Sequence, residues 1–154
     1  MTITDLTRID RTIEIKASPE RVWRALTKAE ELSTWFQVKI EGDIGPGKDV
    51  WMTSQHPEHK GTRFRVWFVD LTPDQRVVWQ WHPGAKDPSV DYEKEPKTTV
   101  TFTLEPIAGG TRLSVSETGF NEISLARRAK AYSDNSQGWT EVIVWIQKYV
   151  EAAG

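Results

Sequence analysis

Cysteine is absent from the 154 residues, which excludes disulfides, thiolate metal sites and a cysteine nucleophile, and fits a reducing compartment. An excess of charge of one sign is missing too. Twenty Lys and Arg against 22 Asp and Glu leave a net charge of −2, so there is no sequence-wide positive field for a nucleic-acid backbone or an anionic leaflet, and no nucleic-acid partner is expected. No stretch approaches the ~18 uninterrupted apolar residues of a membrane span. The opening residues, Met1 to Arg11, alternate polar and charged types without the apolar region of a signal peptide. A cytoplasmic location follows as the expectation. Repeats, low-complexity tracts and linkers are also lacking, and ~100–200 residues make one domain. Residues 1–154 are therefore read as a single domain, with 1–10 as an N-terminal extension. What is abundant is the aromatic ring: eight Trp, five Phe and three Tyr, enough to fill a core coarsely or to wall a cavity for an apolar ligand.

Arg11 to Ala17 alternates, with Ile13 and Ile15 on one face, as in a half-buried strand. Ser18-Pro19-Glu20 then combines an N-cap side chain, a proline at the first helical position and an acid in the first turn, a strong helix start. Thr27 and Glu30 stand in capping-box relation and predict a break and restart into Leu32, Trp35 and Phe36. From Val38 the period is two. Val38–Glu41, Val50–Thr53, Thr62–Leu71, Arg76–His82, Thr98–Leu104 and Thr111–Glu117 read as antiparallel strands, with a long Pro-bearing connection over 84–97. One strand face is apolar, through Phe64, Val66, Phe68, Val77, Trp79, Trp81, Val100, Phe102, Leu113 and Val115. Trp139, Val142, Ile143, Ile146, Tyr149, Val150 and Ala153 make one helical stripe that predicts the cover. Its start is expected at Asp134-Asn135-Ser136. Leftover apolars off that stripe, Val144 and Trp145, suggest a self-contact surface and a homodimer. The expected class is α+β: a curved antiparallel sheet wrapped around a long C-terminal helix, with two short helices after the first strand.

Counting by twos from Leu113 and Val115 puts Glu117 on the covered face, where its carboxyl could hold a ligand's polar end or act as an acid or base. The alternative is a rim position paired with Arg112, Arg127, Arg128 or a backbone amide. His56 and His59, with His82 as a third, lack the acids or thiols of a metal centre, so no metal is expected and the histidines are read as solvated. Gly42-Asp43-Ile44-Gly45-Pro46-Gly47-Lys48 mimics a phosphate loop, but Asp49 replaces the Ser or Thr and a strand follows where a helix should. It reads as a turn, and no nucleotide or other cofactor is expected. No hydrolase triad assembles. Ser124–Tyr132, with Arg127, Arg128 and Lys130, reads as a short basic helix that is first a solvated face and alternatively a lid over the cavity mouth with an acid-binding guanidinium on it.

Five fragments in this order resemble the SRPBCC or START-like helix-grip superfamily of START domains, the birch-pollen allergen and polyketide cyclases. They are Ala17 to Trp23; Leu32 to Phe36; Gly110-Thr111-Arg112-Leu113; Glu117-Thr118-Gly119-Phe120; and Asn135 to Trp139. Within it they are similar to the branch named for the activator of the heat-shock-protein-ninety ATPase. The resemblance implies a pocket between the concave sheet face and the long helix. Residues expected around it are Trp35, Phe64, Phe68, Trp79, Trp81 and Phe102 from one side. Trp139, Ile143 and Ile146 come from the helix, and Glu117, Arg128 and Tyr132 would set the polar end. The leading expectation is a non-catalytic protein that binds a small apolar or amphipathic molecule. The alternatives are a cyclase- or dehydratase-like enzyme using Glu117, and an interaction module with a chaperone as partner; the fold alone does not choose between them.

Overall fold

The computed structural model describes residues 7–84 and 91–153. Residues 85–90 of the expected long connection therefore lie outside the described residues.

Alternation of apolar and polar residues builds strands β1 (Arg8–Ile15), β2 (Val38–Glu41), β3 (Asp49–Ser54), β4 (Arg63–Thr72), β5 (Arg76–Trp81), β6 (Thr98–Ile107) and β7 (Gly110–Thr118). They form one sheet in the order β1-β7-β6-β5-β4-β3-β2, antiparallel throughout. Residues 8–10, expected in an extension, are the start of β1, where buried Ile9 continues the alternation of Ile13 and Ile15. The ladder between β4 and β5 shifts register between Phe68 and Asp70. Such a bulge sharpens local twist and helps curl the sheet.

Helix α1 (Pro19–Thr27) starts as the sequence predicts: the Ser18 side chain accepts from the Arg21 amide at 3.2 Å, with Pro19 behind it. Helix α2 (Ala29–Phe36) follows, but the capping box does not form. Lys28 is the N-cap and has no side-chain cap bond, because the Thr27 hydroxyl donates instead to the Trp23 carbonyl at 2.9 Å. Arg21, Glu31 and Tyr149 then tie three helices together, with the guanidinium 2.6 Å from the carboxylate and the phenol donating to it at 3.1 Å.

Helix α3 is one continuous element, Leu125–Ala153. This corrects two expectations. Asp134-Asn135-Ser136 lies in its middle and caps nothing, because Asn135 spends its side chain on a buried acceptor described below. Residues 125–132 are its first part and not a separate helix, with Ser124 immediately before it. Val144 and Trp145, expected to be exposed, are half-buried against the core, since a helix gripped by a curved sheet is covered over more than one stripe. Trp139, Ile143, Ile146 and Val150 pack inward onto Phe68, Trp79 and Phe102 in a single core. No helix among the described residues is long and apolar enough to cross a membrane.

Candidate functional site

A cavity of about 200 Å³ opens between the ends of β3, β4 and β5 and the middle of α3. Its apolar wall is built from Phe36, Phe64, Trp81, Trp139 and Trp145, with Val38 and Val142 filling between. Ser54, His56, His59, His82, Asp134 and Glu141 give it a polar border. Positions 134, 138, 141, 142 and 145 fall on one side of α3, next to the core stripe, which is why a 29-residue helix can seat the sheet and line a cavity together. Gly138 borders the space, and a Cβ there would meet nothing within 4 Å.

Behind the wall lies Glu117. It is fully buried on the concave face, as parity along β7 predicts. No guanidinium reaches it. Arg112 faces Glu14 and Glu105, Arg127 pairs with Glu95 and donates to the Pro83 carbonyl, and Arg128 donates to the carbonyls of Asn121 and Ile123. Neutral donors surround the carboxylate instead. Trp81 Nε1 donates to Oε2 at 2.8 Å and Trp139 Nε1 to Oε1 at 2.8 Å; the Thr98 hydroxyl donates to Oε2 at 2.5 Å, and Asn135 Nδ2 lies 3.0 Å from both oxygens. Burial pushes the Glu117 carboxyl above its ordinary pKa, and the four donors oppose this without cancelling it. Glu117 thus pins β5, β6 and α3 onto β7 and fixes the two indoles that wall the cavity, while its own carboxylate stays out of the lining.

His56 and His82, expected in solvent, are part-buried at the cavity border, while His59 borders it and is exposed as expected. His56 stacks on Trp145 with ring centroids 5.3 Å apart and on His59 at 5.8 Å. Its Nδ1 accepts from the Glu58 amide at 3.2 Å, which leaves Nε2 to carry the proton. Both ring nitrogens of His82 are buried without a hydrogen-bond partner, and burial holds its pKa below the ordinary value. Among the described residues no cluster of three or more His, Cys, Asp or Glu could hold a metal.

Of the residues expected around the pocket, Phe64, Trp81 and Trp139 border it. Phe68, Trp79, Phe102, Ile143 and Ile146 lie on the right faces but are packed deeper. Trp79 and Phe102 pack edge to face with centroids 5.0 Å apart. Trp35 is buried, its indole donating to the Ala25 carbonyl at 2.7 Å. Tyr132 packs edge-on against Phe120, and Arg128 serves the turn before α3. Sequence reasoning missed Phe36, Asn135, Gly138, Glu141 and Trp145. A signal for the helical ones existed in their i, i+3, i+4 spacing beside the apolar stripe.

The family model for the activator of Hsp90 ATPase homolog 1-like protein matches residues 16–151. The chain belongs to this family. Among solved structures, protein MLL2253 from Mesorhizobium loti is 21% identical, with 96% of this chain and 98% of that one covered at a TM-score of 0.75. The Aha1 dimer from Colwellia psychrerythraea is 22% identical over 94% of this chain and 96% of that one, TM-score 0.69. DynU16, a protein of the dynemicin biosynthetic locus, is 18% identical over 97% of this chain but 49% of its own, TM-score 0.74. No curated protein matches. Membership in the Hsp90-activator-homolog family and these likenesses establish the helix-grip fold, in which the cavity occupies the space between sheet and helix.

Proposed function

We propose that this member of the family is a small-molecule binding protein that holds a largely apolar ligand in the cavity against α3. The observation that carries the reading is Gly138. A glycine inside a helix costs about 1 kcal/mol relative to alanine, and here no neighbour demands its smallness, since its missing Cβ would face open space. What the glycine preserves is room. Three tryptophans and two phenylalanines around that room supply apolar area worth ~25 cal/mol per Å² buried, and a few polar groups at the border supply orientation. Catalysis by Glu117 is the weaker reading, because its carboxylate lies behind Trp81, Trp139 and Asn135 and is committed to four donors. A chaperone partnership or a homodimer draws support from the family's name and from the dimer reported for the Colwellia protein. The surface nominated for self-contact, at Val144 and Trp145, is half-buried within the chain.

Native mass spectrometry after exposure to a mixture of lipids and aromatic metabolites tests the reading. Wild type retains a small molecule. Gly138→Leu loses it, since the new side chain occupies the cavity, while the variant stays folded and unfolds at the same or a higher temperature because helix propensity improves. Retention of nothing by wild type, or equal retention by a folded Gly138→Leu, overturns the proposal.

A further inference from the structure

The charge and ring geometry of the cavity indicate what kind of ligand fits it; this step rests on the cavity being a binding site. Trp81 and Trp139 turn their N–H edges away to Glu117, so their carbon frameworks are what they can offer the cavity. Together with Trp145, Phe36 and Phe64 they line the cavity with five electron-rich rings, the class of side chain that attracts an alkylated cation. The border is acidic. Asp134 and Glu141 stand on the cavity side of α3, and among the described residues no Lys or Arg borders the space. Among the described cations, Lys130, Arg127 and Lys97 have partners of their own. Lys130, highly exposed, lies 3.3 Å from Asp134, a surface pair of little strength. Arg127 is held by Glu95, and Lys97 sits over the Trp67 ring, 4.2 Å from its centroid.

Two further features point the same way. The Glu117 side chain directly behind the wall has four neutral donors as partners, and among the described residues no cation pairs with it. His82 also borders the space, and burial holds its pKa below the ordinary value, so its ring brings no positive charge to the border. An acidic ligand would find the opposite. The guanidinium expected to receive a carboxylate, Arg128, is turned onto the carbonyls of Asn121 and Ile123.

We propose that the cavity selects an organic cation, an alkylated ammonium carried on an apolar or aromatic frame, over neutral and anionic molecules of the same shape. Phenyltrimethylammonium, its neutral isostere tert-butylbenzene and the anion 4-tert-butylbenzoate separate charge from shape. Titrated against tryptophan fluorescence, the cation binds about tenfold tighter than the neutral probe, the scale of one partly desolvated cation–π contact with carboxylates nearby, and the anion binds weakest. Glu141 is exposed, so Glu141→Gln leaves the fold alone; it weakens the cation severalfold and leaves the neutral probe unchanged. Equal binding of cation and neutral probe, or preference for the anion, overturns the charge selectivity while the cavity stands as a site for apolar ligands. Failure of all three probes to bind, or binding that persists in Gly138→Leu, overturns the cavity itself and the selectivity with it.

Discussion

Replacing Glu117 with alanine is expected to destabilise the protein by about 4 kcal/mol, and to do so without touching a solvent-facing atom. The substitution strips the acceptor from Trp81 Nε1, Trp139 Nε1 and Asn135 Nδ2, groups that can only donate, of which Trp139 is buried and Trp81 and Asn135 are part-buried. Each buried donor left unmade costs about 1–3 kcal/mol, and these share one site, so their losses do not simply add. Glu117→Gln keeps the shape and one oxygen but points an NH2 at other donors, for a loss of about 2 kcal/mol. The two variants also separate in pH. Because burial raises the native carboxyl above its ordinary value of 4.5, the native state binds more protons than the unfolded chain between that value and its own raised pKa. Wild-type stability therefore declines as pH rises through this window, and Glu117→Gln does not show the decline. The gap between them is widest in acid and narrows towards neutrality. Urea midpoints at a series of pH values check both statements; a Glu117→Ala protein as stable as wild type would contradict the role assigned to the carboxylate.

Gly110→Ala is expected to cost about 3 kcal/mol or more. An added Cβ would lie 2.1 Å from the Ile15 carbonyl oxygen, 3.0 Å from its carbon and 3.2 Å from Lys16 Cα. All three are backbone, so no side-chain rotation relieves the clash. β1 cannot simply retreat, because Ile15 is buried and the Thr111 hydroxyl donates to the Ala17 carbonyl at 2.7 Å across the same junction. The end of the β1–β7 ladder must open. A chemical-denaturation midpoint reads the loss, and a change under 0.5 kcal/mol, the scale of an ordinary surface substitution, would contradict the close approach. This is also the physical content of the Gly110-Thr111-Arg112-Leu113 fragment through which the chain resembles its family.

Much of the fold was legible because strand parity is a local property. Ile13, Phe102, Val115 and Glu117 could each be assigned a face from neighbours two residues away. Depth within a face is not local. Phe68, Trp79 and Phe102 share the concave side with Trp81, yet only Trp81 reaches the cavity, because which ring lies near the open end depends on how the sheet curls past the Phe68–Asp70 register shift. The same limit explains the helix start. Asp134-Asn135-Ser136 has the composition of a cap, but a polar side chain can sit mid-helix when a buried acceptor faces it, and that acceptor is on a strand 18 residues earlier. His56 and His82 looked solvated for a related reason. Loops and strand ends carry little periodicity, and the stack of His56 on Trp145 exists only once α3 crosses the strand ends.

The central claim is that a ligand enters between the strand ends and α3 and rests on the indoles that Glu117 holds. Nitrogen-15 NMR of the indole N–H groups tests it most directly, with the tightest of the three probes as titrant. Trp81, Trp139 and Trp145 should shift together and saturate at one affinity. Trp23, bonded to the Arg76 carbonyl, and Trp51, on the outer face beneath Arg63, should stay where they are. Shifts confined to Trp23, Trp51 or Trp67, or no shift at saturating probe, would contradict the account.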